Sequence, residues 1–240
     1  MARKSQLYLY THLRDKFIND LIQIKELFFE RIEPIFSNAE KEADDYQNKV
    51  WNDIMNKPCY GEDDYFDPGD YVDTVQQAGF DKFEILSLMQ YRNIGMWISC
   101  MCQVWEQQLF SFVINEAVHE GIKYEDKDLI KGFIFSKEVF AWHNVIFEKL
   151  NCWSKIKELR LLVNVLKHSE GESEKKLRVL RPDYFIQKTS SGDYDLLSLY
   201  HSTLLEATLQ ISNEDFIEYF KALETFWREL PERMFTAECI

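Results

Sequence analysis

Glycine and proline are scarce, at 8 and 5 in 240 residues. So few breakers leave little to turn a many-stranded sheet, and long helices are favoured. Cysteine is sparse as well. The five thiols, at positions 59, 100, 102, 152 and 239, form an odd, scattered set that fits reduced cysteines rather than a disulfide framework. Cys100 and Cys102 are spaced wrongly for a Cys-x-x-Cys site. The five histidines (12, 119, 143, 168 and 201) add no zinc pattern to them. No metal and no cofactor is expected. A glycine-rich phosphate loop and a Gly-x-Ser-x-Gly elbow are also missing. The longest apolar stretch, Met96 to Val104, is too short and too polar to span a bilayer. The opening residues lead into a charged helical pattern without a signal-peptide core. A soluble, cytoplasmic protein with no membrane partner is expected.

What is present is a folding composition. Hydrophobic residues make up 46% and aromatics 15%, well above what a disordered chain carries. The net charge of −13 argues against a general nucleic-acid coat protein. That charge is uneven. Residues 155–181 hold eight Lys or Arg against four Glu, a local +4, whereas residues 38–73 hold eleven acids against three Lys.

Apolar spacing from Leu9 to Phe36 predicts a long helix or helix pair over 5–50, divided or kinked at Pro34. Residues 56–73 read as a loop by their Pro, Gly and Asp content. A long central helix is expected over 82–119, another over 128–150, and a third over 154–168 with Ser154 as N-cap and Gly171 just past its end. Residues 169–192 read as polar and irregular. Tyr184–Gln187 and Ala207–Ile211 are candidate short strands. Ser212 to Asp215 starts an amphipathic helix over 213–230. The fold class is mainly α: one helical bundle-like domain over 1–240, with 184–211 the candidate place for one short two-stranded element.

One helix carries chemistry. Arg160, Asn164 and His168 recur every four residues, so they form one stripe along an otherwise apolar helix. A structural explanation is available. Cations near a helix C-terminus interact well with its dipole, Arg160 can pair with a carboxylate, and Asn164 can cap a backbone group. A chemical explanation is also available. Metal-free RNA cleavage needs a group that moves a proton near neutral pH, which histidine does. It also needs a cation to offset charge on the phosphorane, and an amide can orient either partner.

The run Glu158-Leu159, Asn164 and His168 in a late helix resembles the signature helix of HEPN domains, the higher eukaryote and prokaryote nucleotide-binding fold. That signature reads Arg-Asn-x-x-x-His, often with an acid one to two turns upstream. The resemblance covers about 80–170, leaving 171–240 as a C-terminal extension. It implies a helical bundle, metal-independent endoribonuclease activity in a defence or toxin–antitoxin type system, and a homodimer with a composite site. It assigns His168 as the catalytic imidazole, Asn164 as the orienting amide and Glu158 as the upstream acid. Where the signature has Arg just before Asn, this chain has Val163. Arg160, one turn earlier, is the nearby substitute. Lys157, Lys167, Lys175, Lys176, Arg178 and Arg181 are the candidate RNA-binding cations of the basic island. The stretch about 153–230, with Leu177-Arg178-x-x-Arg181-Pro182-Asp183-x-Phe185, resembles uncharacterised bacterial proteins and implies no activity.

Two function classes follow. One is a HEPN-like protein acting on RNA. The other is a noncatalytic helical module that binds a partner protein, as an antitoxin or scaffold. A pocketed small-molecule enzyme has no supporting motif. The acidic loop at 62–73 lacks the alternating acids and closing Glu of a calcium-binding hand and reads as a solvated loop. A weaker reading has this acidic region mimic phosphate and cover the basic island.

Overall fold

The structure is a computed structural model that describes residues 5–57, 67–190 and 192–236. It is mainly α, as the composition and periodicity lead one to expect. The chain divides into two compact units, one of Met1–Leu27 with Ile94–Ile240 and the other Phe28–Asn93. Cys59, Cys239 and the acids Glu62, Asp63 and Asp64 lie outside the described residues.

In the larger unit, strand β1 (Gln6–Tyr8) precedes helix α1 (Thr11–Leu27). The smaller unit follows. A π-helical turn (Phe28–Ile32) and a 3-10 turn (Glu33–Phe36) containing Pro34 separate α1 from α2 (Ala39–Met55). The expected division at Pro34 is therefore present, because proline can start a turn but cannot continue a helix. A second 3-10 turn, Pro68–Tyr71, is capped by the Asp67 carboxylate, which accepts from the Gly69 amide at 2.8 Å. Helix α3 (Val72–Glu120) starts here, ten residues earlier than its apolar pattern suggests. Its first part packs on α2 at Gly79, where an added Cβ would lie 2.5 Å from Gln47 Oε1.

The remaining elements belong to the larger unit. These are α4 (Asp126–Leu129), α5 (Phe133–Trp142), α6 (Trp153–His168), α7 (Glu172–Leu180), strands β2 (Gln187–Thr189) and β3 (Gly192–Tyr194), α8 (Leu196–Tyr200), α9 (Asn213–Glu229) and β4 (Arg233–Phe235). The expected helix over 128–150 is three pieces. They are α4, α5 and a 3-10 turn over Phe147–Lys149, with breaks before α5, where Gly132 takes φ 53°, and at His143-Asn144, where Asn144 takes φ 63°. The segment expected to be irregular contains α7. Of Tyr184–Gln187, Tyr184 and Phe185 close a 3-10 turn over Pro182–Phe185 and only Gln187 is in a strand, as the first residue of β2. Residues 207–211 form no strand. The two-stranded element is instead the β2–β3 hairpin inside the expected window.

The core of the larger unit is aromatic. Helix α9 starts with a full capping box, in which Ser212 accepts from the Asp215 amide and the Asp215 side chain accepts from the Ser212 amide. That box satisfies two orphan donors. It aims Phe216, Tyr219, Phe220, Leu223, Phe226 and Trp227 inward. Phe226 meets Trp105 edge-on at 5.1 Å and Phe147 at 5.0 Å. Burying each such ring contributes roughly 1.5–3 kcal/mol. Polar side chains buried there are paired, Gln108 among them. Gln108 donates to the Phe17 carbonyl and accepts from Trp227 Nε1, both at 3.0 Å, so its amide is not left unpaired. Strand β1 pairs antiparallel with β4, Leu7 opposite Met234.

Candidate functional site

Helix α6 is set by its apolar face. Ile156, Leu159, Leu162, Val163, Val165 and Leu166 are buried. Gly95 of α3 admits it closely, since a Cβ there would sit 3.2 Å from Leu166 Cδ2. Cys152 occupies the N-cap position instead of Ser154. The far end stops at Ser169, with φ 60°, two residues before the expected Gly171. Gly171 serves as N-cap of α7. The buried Thr203 hydroxyl donates to the Leu166 carbonyl at 2.9 Å, and so pairs one of the carbonyls that a helix end leaves open.

The three stripe residues share a helix but not an environment. Asn164 and His168 are exposed. Asn164 Nδ2 donates to Ser173 Oγ at 3.3 Å. The His168 imidazole has no hydrogen bond or ion pair among the described residues. Arg160 is held apart: its Nε donates to Glu106 Oε1 at 2.6 Å, and its guanidinium stacks 3.7 Å from the Phe133 ring centroid. Val163, at the position where the HEPN signature has Arg, is 4% exposed and part of the core.

Glu158 sits in a separate, closed network. Its Oε1 accepts from Arg181 Nη1 at 2.9 Å, from the Tyr219 hydroxyl at 2.9 Å and from Lys155 Nζ at 3.1 Å. Arg181 also donates to the Tyr184 hydroxyl at 2.7 Å, and the Tyr184 and Tyr219 hydroxyls lie 2.8 Å apart. The donors therefore run Arg181 to Tyr184 to Tyr219 to Glu158, and Arg181 closes the ring directly. Asp183 and Asp215 accept from the same guanidinium at 2.7 and 3.0 Å. Burial pushes both tyrosine hydroxyls well above their ordinary range, so each keeps its proton and can donate. Burial works against the Arg181 charge, but Asp183, Glu158 and Asp215 outweigh it and raise the group.

The basic island is less basic than its count. Arg178 pairs with Glu174 and Asp195 and lies over the Phe185 ring. Arg181 serves three acids. Lys175 pairs with Glu172 at 2.9 Å. Lys157, Lys167 and Lys176 are exposed and form no ion pair among the described residues. Near Lys167, burial pushes the Cys102 thiol of α3 up to about 12, with Glu106 adding and Arg160 and Lys167 opposing.

Two features escaped sequence reasoning. The Arg181 ring joins acids 23 and 34 residues away, which no local pattern reveals. A cleft of about 510 Å³ between α1 and α9 is lined by His12, Asp15, Lys16, Asn19 and Arg228 together with Ile18 and Ile22. Only the one-turn spacing of His12 and Lys16 was available to signal it. Arg228 there is tied to Glu224 at 2.7 Å. His143 is a core residue, its Nδ1 2.7 Å from the Val139 carbonyl and its Nε2 3.3 Å from Ser5 Oγ. Among the described residues no group of three His, Cys, Asp or Glu side chains is placed to hold a metal ion. No helix among them is long and apolar enough to cross a membrane. No family model, curated protein or solved structure matches the chain.

Proposed function

We propose that the chain is a HEPN-like helical protein that acts on RNA as a metal-independent endoribonuclease in a defence or toxin–antitoxin type system. The observation that carries this reading is the exposed end of α6, where Asn164, Lys167 and His168 stand within a little more than one helical turn. His168 moves the proton, since an unengaged imidazole can serve as acid or base near neutral pH. Lys167 takes the role of the charge-offsetting group, because Arg160 is already neutralised by Glu106 and a committed cation offsets little further charge. Asn164 orients the phosphate or the imidazole. Glu158 acts only through the fold, as the acceptor that anchors α6 to Arg181 and Tyr219.

The test is cleavage of single-stranded or transfer RNA in EDTA. Wild-type protein cleaves, His168→Ala abolishes cleavage without changing the unfolding midpoint, and Lys167→Ala slows it about 10-fold to 100-fold. Cleavage that survives His168→Ala would sink the assignment.

A second reading is a noncatalytic helical module that binds a partner protein. Buried Val163 and the ion-paired Arg160 favour it, since both depart from a signature that supplies a free arginine. It predicts no cleavage and a stable complex with a partner protein on co-purification.

A further inference from the structure

The smaller unit, Phe28–Asn93, has fifteen acids against six bases, a net −9. Between α2 and α3 it carries an open groove of about 370 Å³. Glu40 and Asp44, one turn apart on α2, form one wall, and Phe80 and Phe83 of α3 form the other. The absence of a side chain at Gly79 keeps the floor low. Neither carboxylate has a partner among the described residues. Phe80 is 61% exposed, so an aromatic face and two unspent anions stand side by side.

Helix α7 has the complementary chemistry. Its inner side is fixed by buried Leu177 and by Arg178. Its outer side shows Val179 at 83% and Leu180 at 46% exposure. Lys175 and Val179, and Lys176 and Leu180, are each four residues apart, so two cations and two aliphatic tips share one flank. Among the described residues Lys176 forms no ion pair, and Lys175 pairs with the exposed Glu172. A helix that exposes aliphatic tips beside lysines fits a groove of phenyl rings beside carboxylates. The rings take the methyl groups and the carboxylates take the ammonium groups, with the ring faces adding attraction for the cations.

We propose that α7 of one copy seats in the α2–α3 groove of a second copy, with Val179 and Leu180 against Phe80 and Phe83 and the lysines against Glu40 and Asp44. Each copy carries both halves, so the contact is heterologous and either closes reciprocally or extends. It uses no residue of α6 and does not rest on the ribonuclease reading.

The experiment is sedimentation equilibrium of the full chain up to ~0.5 mM, because interfaces below about 1,200 Å² are weak. Concentration-dependent association is expected. Phe80→Ala and Val179→Asp, both at exposed positions, weaken it while leaving the circular dichroism spectrum unchanged. Reversing the groove (Glu40→Lys with Asp44→Lys) or the helix (Lys175→Glu with Lys176→Glu) weakens self-association about 10-fold or more. A 1:1 mixture of the two reversed proteins restores it, because each then offers the other a matched surface. A wild type that stays monomeric throughout overturns the proposal. So does association indifferent to Phe80→Ala and Val179→Asp, or a mixture no stronger than its components.

Discussion

Arg181 shows how far a single residue's meaning depends on what it touches. By charge it belongs to the basic island, yet it serves Glu158, Asp183 and Asp215 and lies over the Tyr184 ring. Removing it leaves Asp215 without its cation and Glu158 with Lys155 alone, although both carboxylates are about nine-tenths buried. Arg181→Ala should therefore cost about 3 kcal/mol in urea unfolding. Arg181→Lys should recover only part of that, since an ammonium cannot reproduce the planar fork. Cys102 gives a second prediction. Its thiol titrates at about 12 rather than the usual 9.0. Below pH 9 the thiol is neutral in both states and its burial stabilises fully. Above that, the unfolded chain loses the proton first, so stability falls between about pH 9 and about 12. The fall of the urea midpoint across this window should be shallower in Cys102→Ala.

At the scale of elements, α9 depends on its first turn. Ser212→Ala removes half of the capping box and should cost about 1 kcal/mol, read as a lower urea midpoint with an unchanged slope. This helix was legible because its cap, its apolar period and its ends all lie within one local window. Helix α6 was legible for the same reason, although its cap and stop were each displaced by about two residues. Helix α7 was not. Its nine residues include only two leucines and one valine among charges, and what makes it a helix is buried Leu177 together with the Arg178 pairing to Asp195, 17 residues on. Strands β1 and β4 were equally hidden, since three residues carry no period and their partners lie at opposite ends of the chain. The candidate site divides in the same way. That Arg160, Asn164 and His168 share a helix follows from spacing. That Glu106 holds Arg160 and leaves His168 free required the fold.

For the whole molecule, the useful quantity is free charge rather than counted charge. Six cations were assigned to RNA, and among the described residues Lys157, Lys167 and Lys176 are the three of them that form no ion pair. If single-stranded RNA binds through these three, log affinity should fall against log salt with a slope of about −2. All six cations would give about −4. Fluorescence anisotropy from about 50 to about 300 mM salt, over which the Debye length shortens roughly two-fold, separates the two slopes. The pairing of Tyr8 with Arg233 also matters while the chain is being made. At roughly 5–20 residues per second, a ribosome needs on the order of 10–45 s to travel from one to the other. Through that interval β1 has no β4 to bind, and the α1 face that meets Trp227 through Phe17 stays uncovered. The unit Phe28–Asn93 is complete long before then. The nascent chain thus emerges with its first segment still waiting for partners made last, a state that holding chaperones are suited to shield.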